Sequence, residues 1–429
     1  MLYLIYYNNK YLLRWIISKE GFSMEKSKLQ DRLTMQVLEL KHLSQFNDLL
    51  RYVFQVTNRD LTDVGWEEDE IVQSKRPILQ KAHVLGWFDE EKLVSQLAIY
   101  PMKVNIHGEI YKMGGVTGVA TYPEYSNCGL MHSLMKQGLK DMRRGKQTVS
   151  FLYPYSIPYY RRKGWEIISD VMTFTIKDTQ LPKPREVPGM VHRVDMGHKD
   201  LKDLHNRFTL QRHGALVRDE LAWEEYWRWE VEDIITAIYY DEFGIPKGYI
   251  IYWIADDIFH MKETVCLNEE ARKGIWNYIS AHFSMINEVR GNTYTNESLA
   301  FLLEDSEIEE TIKPFFMARI VDVEEFIKKF PFDHRLSEKG FTFVVTDSLL
   351  EWNNDYFAVW WDKEGNMKVS REIIGDMVKL DIRTLTTMLM SYRRPAYLAR
   401  IGRIDAKPET IKLLEKLIPL EEPYFSDYF

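Results

Sequence analysis

A chain of 429 residues exceeds what one hydrophobic core organises and predicts two or three domains. It is 45% hydrophobic and 28% charged, as in an ordinary globular protein, and 56 basic against 64 acidic residues leave a net charge of −8. That balance excludes bulk nucleic-acid binding, which needs a basic surface to replace counterions, and is compatible with a cationic amine as substrate.

The two cysteines, Cys128 and Cys266, form neither a disulfide framework nor a metal-ligand spacing. No metal is expected, and a reducing, cytoplasmic compartment is the simplest reading. Met1 to Ser23 is apolar in two parts, Leu2 to Tyr7 and Tyr11 to Ser18, interrupted by Asn8, Asn9, Lys10 and Arg14. Each run is too short to span a bilayer, and no small-residue cleavage site follows. The preferred reading is an upstream extension with Met24 as the true start; a membrane anchor is the minor alternative, and no membrane partner is expected.

Met35 to Leu40 alternates as a first strand, and Ser44 to Phe54 carries Phe46, Leu49, Leu50 and Val53 at helical spacing. His83 to Phe88, Leu93 to His107 and Ile110 to Thr121 predict a long antiparallel meander, with Gly108 at a turn. Gly114, Gly115 and Gly118 permit a bulge or a close ligand approach. After Thr121 the chain turns at Pro123 and starts a helix beyond Gly129, whose Met131, Leu134, Met135, Leu139 and Met142 share one face; Arg143, Arg144 and Gly145 close it. Strand, turn and helix N-terminus outline an anion site. Unpaired amides and the positive end of the dipole hold a phosphate without a cationic side chain, and Gly129 lets it come close. Thr148 to Pro154 then reads as a short strand, and Ser156 to Trp165 as a short capped helix stopping at Gly164.

In this order the parts resemble the GNAT acyl-CoA-dependent N-acetyltransferases. Gly118-Val119-Ala120-Thr121-Tyr122-Pro123-Glu124-Tyr125, Cys128-Gly129-Leu130-Met131, Leu152-Tyr153-Pro154 and Tyr160-Arg161-Arg162-Lys163-Gly164-Trp165 resemble more narrowly the enhanced-intracellular-survival (Eis) type, whose known members acetylate aminoglycosides. The resemblance implies an α+β fold: two tandem GNAT-like mixed-sheet domains followed by a sterol-carrier-protein-like α/β domain, a label for a fold and not for sterol transport. The expected units are a disordered or non-native extension at 1–34, a catalytic domain at 35–176, a linker at 177–189 marked by Pro182, Pro184 and Pro188, a degenerate GNAT-like domain at 190–318, and the sterol-carrier-like domain at 319–429.

The same resemblance implies acetyl-CoA as cosubstrate and a splayed gap between Val119 and Leu152 for its pantetheine arm. Backbone amides of Asn127, Cys128, Gly129, Leu130, Met131 and His132 would bind the pyrophosphate. Val119, Ala120 and Thr121 would align the pantetheine and the acetyl carbonyl, and Tyr155 and Ser156 would line the arm. Many members carry arginine or glutamine where Ser126 stands, so weaker or more backbone-dependent CoA affinity is expected. Tyr160 takes the position of the general acid, a phenol with a reference pKa of about 10 that is protonated at neutral pH and able to donate to a thiolate. The base is implied to be the C-terminal carboxylate of Phe429, acting through water. Four aromatics in the last six residues favour a docked tail over a frayed one. Cys128 invites a nucleophile reading at a helix N-terminus, yet His132 is the one nearby histidine and lies a turn along the same helix; a structural or cofactor contact is preferred.

Farther on, Leu221 to Glu232 is a Trp-rich stretch with Trp223, Trp227 and Trp229, read as packing before a ligand cage. Ala237 to Tyr240 and Tyr249 to Ile254 are predicted strands, and Glu269 to Met285 a helix. That helix follows Cys266-Leu267-Asn268 with no glycine turn and begins with two carboxylates, so the second domain is expected to bind no CoA. Asp322 to Phe330, Asp381 to Ser391 and Lys407 to Leu417 are predicted helices of the last domain, around strands at Phe341 to Thr346, Tyr356 to Trp361 and Met367 to Ser370.

The reading is an N-acetyltransferase acting by direct transfer in a ternary complex on a small polycationic, aminoglycoside-like amine. The chain would assemble as a homo-oligomer, a hexamer by resemblance. Protein lysine acetylation, or non-catalytic binding of an apolar ligand, are the alternatives.

Overall fold

The computed structural model describes residues 32–57, 59–60, 73–227, 233–294, 298–333 and 340–429. Most of the N-terminal extension, including Met24, and Trp229 lie outside the described residues. In chain order the first elements are β1 (Leu33–Val37), α1 (Leu43–Phe54), α2 (Arg76–Lys81), β2 (His83–Asp89), β3 (Lys92–Ile106), β4 (Glu109–Thr121), α3 (Leu130–Arg144), β5 (Val149–Leu152), α4 (Ile157–Arg161), β6 (Glu166–Ile167) and β7 (Asp170–Lys177). The middle of the chain forms β8 (Met190–Val194), α5 (Lys199–Thr209), β9 (Leu216–Val217), α6 (Glu220–Trp227), β10 (Ile235–Tyr240), β11 (Pro246–Ala255), β12 (Ile258–Cys266), α7 (Glu269–Ser280), β13 (Glu288–Thr293), β14 (Glu309–Pro314) and β15 (Met317–Ile320). The last part forms α8 (Val323–Lys329), β16 (Phe341–Thr346), β17 (Tyr356–Trp361), β18 (Met367–Ser370), β19 (Asp376–Asp381), α9 (Ile382–Leu389), α10 (Pro395–Arg400) and α11 (Pro408–Leu417).

Three mixed sheets result. The first runs β1-β2-β3-β4-β5-β15-β6 with β9 beside β3, the second β14-β7-β13-β12-β11-β10-β8, and the third β18-β17-β16-β19. The first two sheets trade strands. β7, inside the unit expected at 35–176, pairs with β13 and β14 of the second sheet, while β15, at the boundary expected near 318, lies between β5 and β6 of the first. The short, proline-rich stretch after β7 thus joins two strands of one sheet, β7 and β8, which form nearly its opposite edges.

β3 is buried on both faces along most of its length, which explains its almost unbroken apolar run. One face carries Ile99, Val116 and Leu152 against Leu134, Met135, Leu139 and Met142 of α3, with Tyr160 and Trp165 at the edge. The other carries Tyr100, Val104, Met113 and Phe151, continuous through Phe316 and Phe326 with the core of the third sheet. Arg319 of β15, fully buried, pairs with Asp347 and donates to the Lys163 carbonyl, tying the first sheet to the sterol-carrier-like part.

The expected elements differ mostly at their ends. The first strand stops at Val37, where a 3₁₀ turn at Leu40–His42 takes over, and the helix expected to reach Met285 stops at Ser280. Asp322 and Asp381 act as caps, their side chains accepting from the Glu325 and Thr384 amides, so α8 and α9 begin one residue later than expected. β14 is largely exposed and reads Glu-Glu-Thr-Ile-Lys-Pro, with too little alternation to signal a strand. Among the described residues no helix is long and apolar enough to cross a membrane.

Candidate active site

β4 and β5 pair in parallel only at Met113–Val149, Gly114–Ser150 and Gly115–Phe151. Beyond Gly115 the two strands part, so Val116 to Thr121 and the chain after Leu152 face each other across an opening. Gly118, at φ 59°, lies where the β3–β4 register shifts between Gln96 and Ala98, a bulge that bends β4 away from its neighbour. The mouth of the opening leads to the turn before α3.

That turn has an anion-binding shape. Asn127 and Gly129 take left-handed conformations, at φ 62° and 78°, and Gly129 is the N-cap. A Cβ at Gly129 would meet nothing within 4 Å, so glycine serves the backbone angle there rather than a tight packing contact. The first amide of α3 to reach back is that of Ser133, donating to the Gly129 carbonyl at 3.1 Å, which leaves the amides of the first turn directed outward. Ser126, Asn127, Gly129 and His132 are exposed, and Cys128 and Met131 half-buried; Leu130 is the buried anchor of the turn. The Ser126 amide itself is engaged, donating to the Pro123 carbonyl. Cys128 donates weakly to the Ser126 carbonyl at 3.7 Å, and His132 is engaged elsewhere, so the pair forms no nucleophile and base.

Sequence reasoning missed the partner of His132. Lys163 Nζ donates to His132 Nδ1 at 2.6 Å, bringing an ammonium to the first turn of α3. Burial, then the neighbouring charges of Lys163 and Lys136, lowers the His132 pKa; burial and Arg162 lower that of Lys163. A cation from the turn after α4 thus stands beside the first turn of α3, where Ser126 carries none. Its signal was the position of Lys163 within Tyr-Arg-Arg-Lys-Gly-Trp, a motif used only for its tyrosine and glycine.

On the α3 side of the opening, Ser156 caps α4 through its carbonyl, which accepts from the Tyr159 and Tyr160 amides, while Tyr155 is 79% exposed at the entrance. Tyr160 is buried against Trp165 and the α3 face, and burial raises its phenol pKa well above the ordinary value. It therefore stays protonated.

The C-terminal tail arrives from the opposite side. It leaves α11, passes His213, whose carbonyl accepts from the Tyr424 amide at 2.8 Å, and buries Phe425 against Phe151 and Phe316. Tyr428 packs edge-on to Tyr153, and the Phe429 ring lies against Gly115, Tyr100 and Phe316. The structure thus brings the last residue to the point where β4 and β5 separate. Asp427 is held by Arg218, with Nε to Oδ1 at 2.6 Å, and Arg218 in turn grips Glu263 through both terminal nitrogens at 2.7 and 3.0 Å. None of these three was legible in the sequence, because they come from three distant segments with no shared spacing.

In the second domain, Asn268 caps α7 by accepting from the Ala271 amide, so the first turn is satisfied from within. Glu269 pairs with Arg272 and Glu270 accepts from Tyr239, leaving carboxylates where an anion would approach. Among the described residues no group of three or more His, Cys, Asp or Glu could hold a metal ion.

Residues 35–168 and 214–320 each match an acetyltransferase (GNAT) domain family, and residues 323–426 match the sterol carrier protein domain family. No curated protein matches the sequence. Among solved structures, a conserved protein of unknown function from Enterococcus faecalis V583, called a probable N-acyltransferase, is 27% identical with a TM-score of 0.85, over 92% of this chain and 99% of that one. A GCN5-related N-acetyltransferase from Anabaena variabilis ATCC 29413 is 22% identical with a TM-score of 0.80, over 93% and 100%. Eis1 from Mycobacterium abscessus is 16% identical with a TM-score of 0.76, over 92% and 100%, and shares the three-part fold.

Proposed function

We propose, from the premise that this chain is a GNAT acetyltransferase of Eis-like architecture with a sterol-carrier-like last domain, that it transfers acetyl from acetyl-CoA to an amine of a small polycationic, aminoglycoside-like molecule. The transfer is direct, within a ternary complex, and the observation that carries the reading is the docking of Phe429 at the parting of β4 and β5.

In this reading the outward amides of the α3 first turn, with Lys163 beside them, bind the pyrophosphate. Backbone groups of Val119 to Thr121 along the unpaired edge of β4 orient the pantetheine and hold the carbonyl oxygen as it gains negative charge. The α-carboxylate of Phe429 accepts the amine proton through water, freeing the nitrogen pair to bond to the acetyl carbon. As the carbon–sulfur bond breaks, the Tyr160 hydroxyl gives its proton to the leaving sulfur. Tyr155 and Ser156 line the arm; Cys128 contributes a contact and no covalent step. By resemblance the enzyme works as a cytoplasmic homo-oligomer, a hexamer, which light scattering in solution would test.

The deciding experiment is thiol release from acetyl-CoA with a panel of aminoglycosides and small polyamines, for wild type, Tyr160→Phe and a chain with one residue added after Phe429. Turnover in wild type, cut by about a hundredfold or more in both variants, is the expected result. Turnover unchanged in both variants would overturn the acid and base assignments, and turnover only with a lysine-bearing peptide would replace the substrate class.

A further inference from the structure

The second sheet repeats the parting of strands seen in the first. β12 pairs with β13 only at Ile258–Glu288 through Met261–Gly291, and Asn292 and Thr293 of β13 pair with β7 alone. The β11–β12 register shifts just beyond Met261, between Ile251 and Tyr252, leaving Lys262 in the bulge. Glu263 is therefore the first residue of β12 beyond the bulge, on the stretch that has lost its parallel neighbour.

What stands there is the protein's own tail. Arg218, 4% exposed, reaches Glu263 with a two-point fork and Asp427 with Nε, its guanidinium carbon 3.9 Å from the Tyr226 ring centre and 4.7 Å from that of Trp223, two rings set edge to face. Tyr249 and Tyr226 donate to Glu263 Oε2 at 2.8 and 3.1 Å, and Ser426 donates to Oε1 at 3.1 Å. The cluster joins the loop after β9, strand β12 and the last residues of the chain.

We propose that Arg218, braced by Glu263 in the parting of the second sheet, is a positioning residue that clamps Asp427 and so holds the terminal carboxylate of Phe429 at the parting of the first sheet. This rests on the reading of that carboxylate as the proton acceptor. Two residues separate Asp427 from the terminus, at most about 7 Å of extended chain, so fixing one end leaves the other little room. The clamp gives the domain whose α7 turn excludes an anion a task in the reaction.

The cluster sets two carboxylates, Glu263 and Asp427, against Arg218, with Lys262 beside them over the Tyr226 ring. Glu263 takes the fork and its pKa, which burial alone would raise, is pulled down to about 2 by Arg218. Burial, with Glu263 alongside, pushes the pKa of Asp427 up to about 6 despite Arg218 and Lys262. Replacing buried ionic clusters with uncharged groups is often neutral or stabilising, so the clamp is to be judged by the position of the tail and not by stability. Because Arg218 keeps its fork to Glu263, Asp427→Asn leaves no orphaned charge.

The test uses the full chain in two measurements. Carboxypeptidase A, which removes aromatic C-terminal residues, is expected to release phenylalanine at least about tenfold faster from Asp427→Asn and Arg218→Met than from wild type, with Arg218→Lys between them and the thermal midpoint of Asp427→Asn not lowered. With the best amine of the panel, Asp427→Asn is expected to lower kcat about tenfold with KM for acetyl-CoA unchanged. In a chain extended by one residue after Phe429, the same substitution should cost nothing further. Release of phenylalanine unchanged by Asp427→Asn overturns the clamp, as does full kcat in Asp427→Asn where the extension abolishes turnover. If the extension is harmless, the terminal-base reading fails instead, and the carboxypeptidase measurement alone judges the clamp.

Discussion

A Cβ built on Gly115 would stand 2.8 Å from Cε2 and 3.0 Å from Cζ of Phe429, so the ring of the last residue lies on bare backbone of β4. Gly115 is also the last residue of β4 to pair with β5, opposite Phe151. The missing side chain is what lets the terminus reach the parting of the strands. Gly115→Ala is expected to push the Phe429 ring out, lowering kcat about tenfold or more and stability by about 1–3 kcal/mol, as overpacking does. Met102 Sδ, at 3.1 Å, limits escape on the other side. In Gly115→Ala combined with Phe429→Leu the smaller side chain should recover most of the stability without the activity. Urea melts and thiol release on wild type, Gly115→Ala, Phe429→Leu and the double variant check both statements; equal kcat in wild type and Gly115→Ala would separate the glycine from the terminus.

Much of the first domain was legible because its signals are local. The turn into α3 is set by Gly129 and the helix face by residues three and four apart, and Tyr160 sits inside a ten-residue stretch that caps and stops itself. The trade of β7 and β15 between sheets was not legible, since strand pairing is decided by partners more than a hundred residues away. For the same reason nothing in the sequence marks Arg218, Glu263 and Asp427 as one cluster. Their burial is a tertiary fact: only when β9, β12 and the tail converge does one guanidinium have two carboxylates to serve.

Lys163 offers a test of the cofactor turn that is separate from the tail. Its Nζ is 2.6 Å from His132 Nδ1, while its carbonyl is what Arg319 uses, so Lys163→Met removes the cation and keeps the structural contact. KM for acetyl-CoA is expected to rise about three- to tenfold with kcat changed little, because a charge beside the pyrophosphate binds ground and transition states alike. The same comparison at high salt should narrow the gap, since this side chain is only half-buried and screened. A kcat loss at constant KM would move Lys163 from binding to chemistry.

Asp427 titrates near 3.8 unfolded and about 6 folded, so between those values the native chain holds a proton that the unfolded chain releases. Its contribution to stability is full below the unfolded value and is lost as pH rises through the folded one. Several groups pull the other way. Burial lowers the pKa of His107 to about 4 and of His205 to about 3, and lowers that of His213 as well, so each costs stability as acid charges the unfolded imidazole. Glu263, held at about 2, loses its share below its ordinary value, and Lys262, pushed down to about 7 by burial, adds stability only as pH rises above that. Wild-type stability alone therefore mixes signs, and the difference between Asp427→Asn and wild type isolates the one carboxyl. From about pH 4 to about pH 7 that difference should move toward the asparagine chain by about 2 kcal/mol. Urea melts of both chains at the two pH values measure it. A difference that stays constant with pH would mean that Asp427 is ionised at no cost, matched by Lys262 as well as Arg218, and that the buried cluster is neutral as it stands.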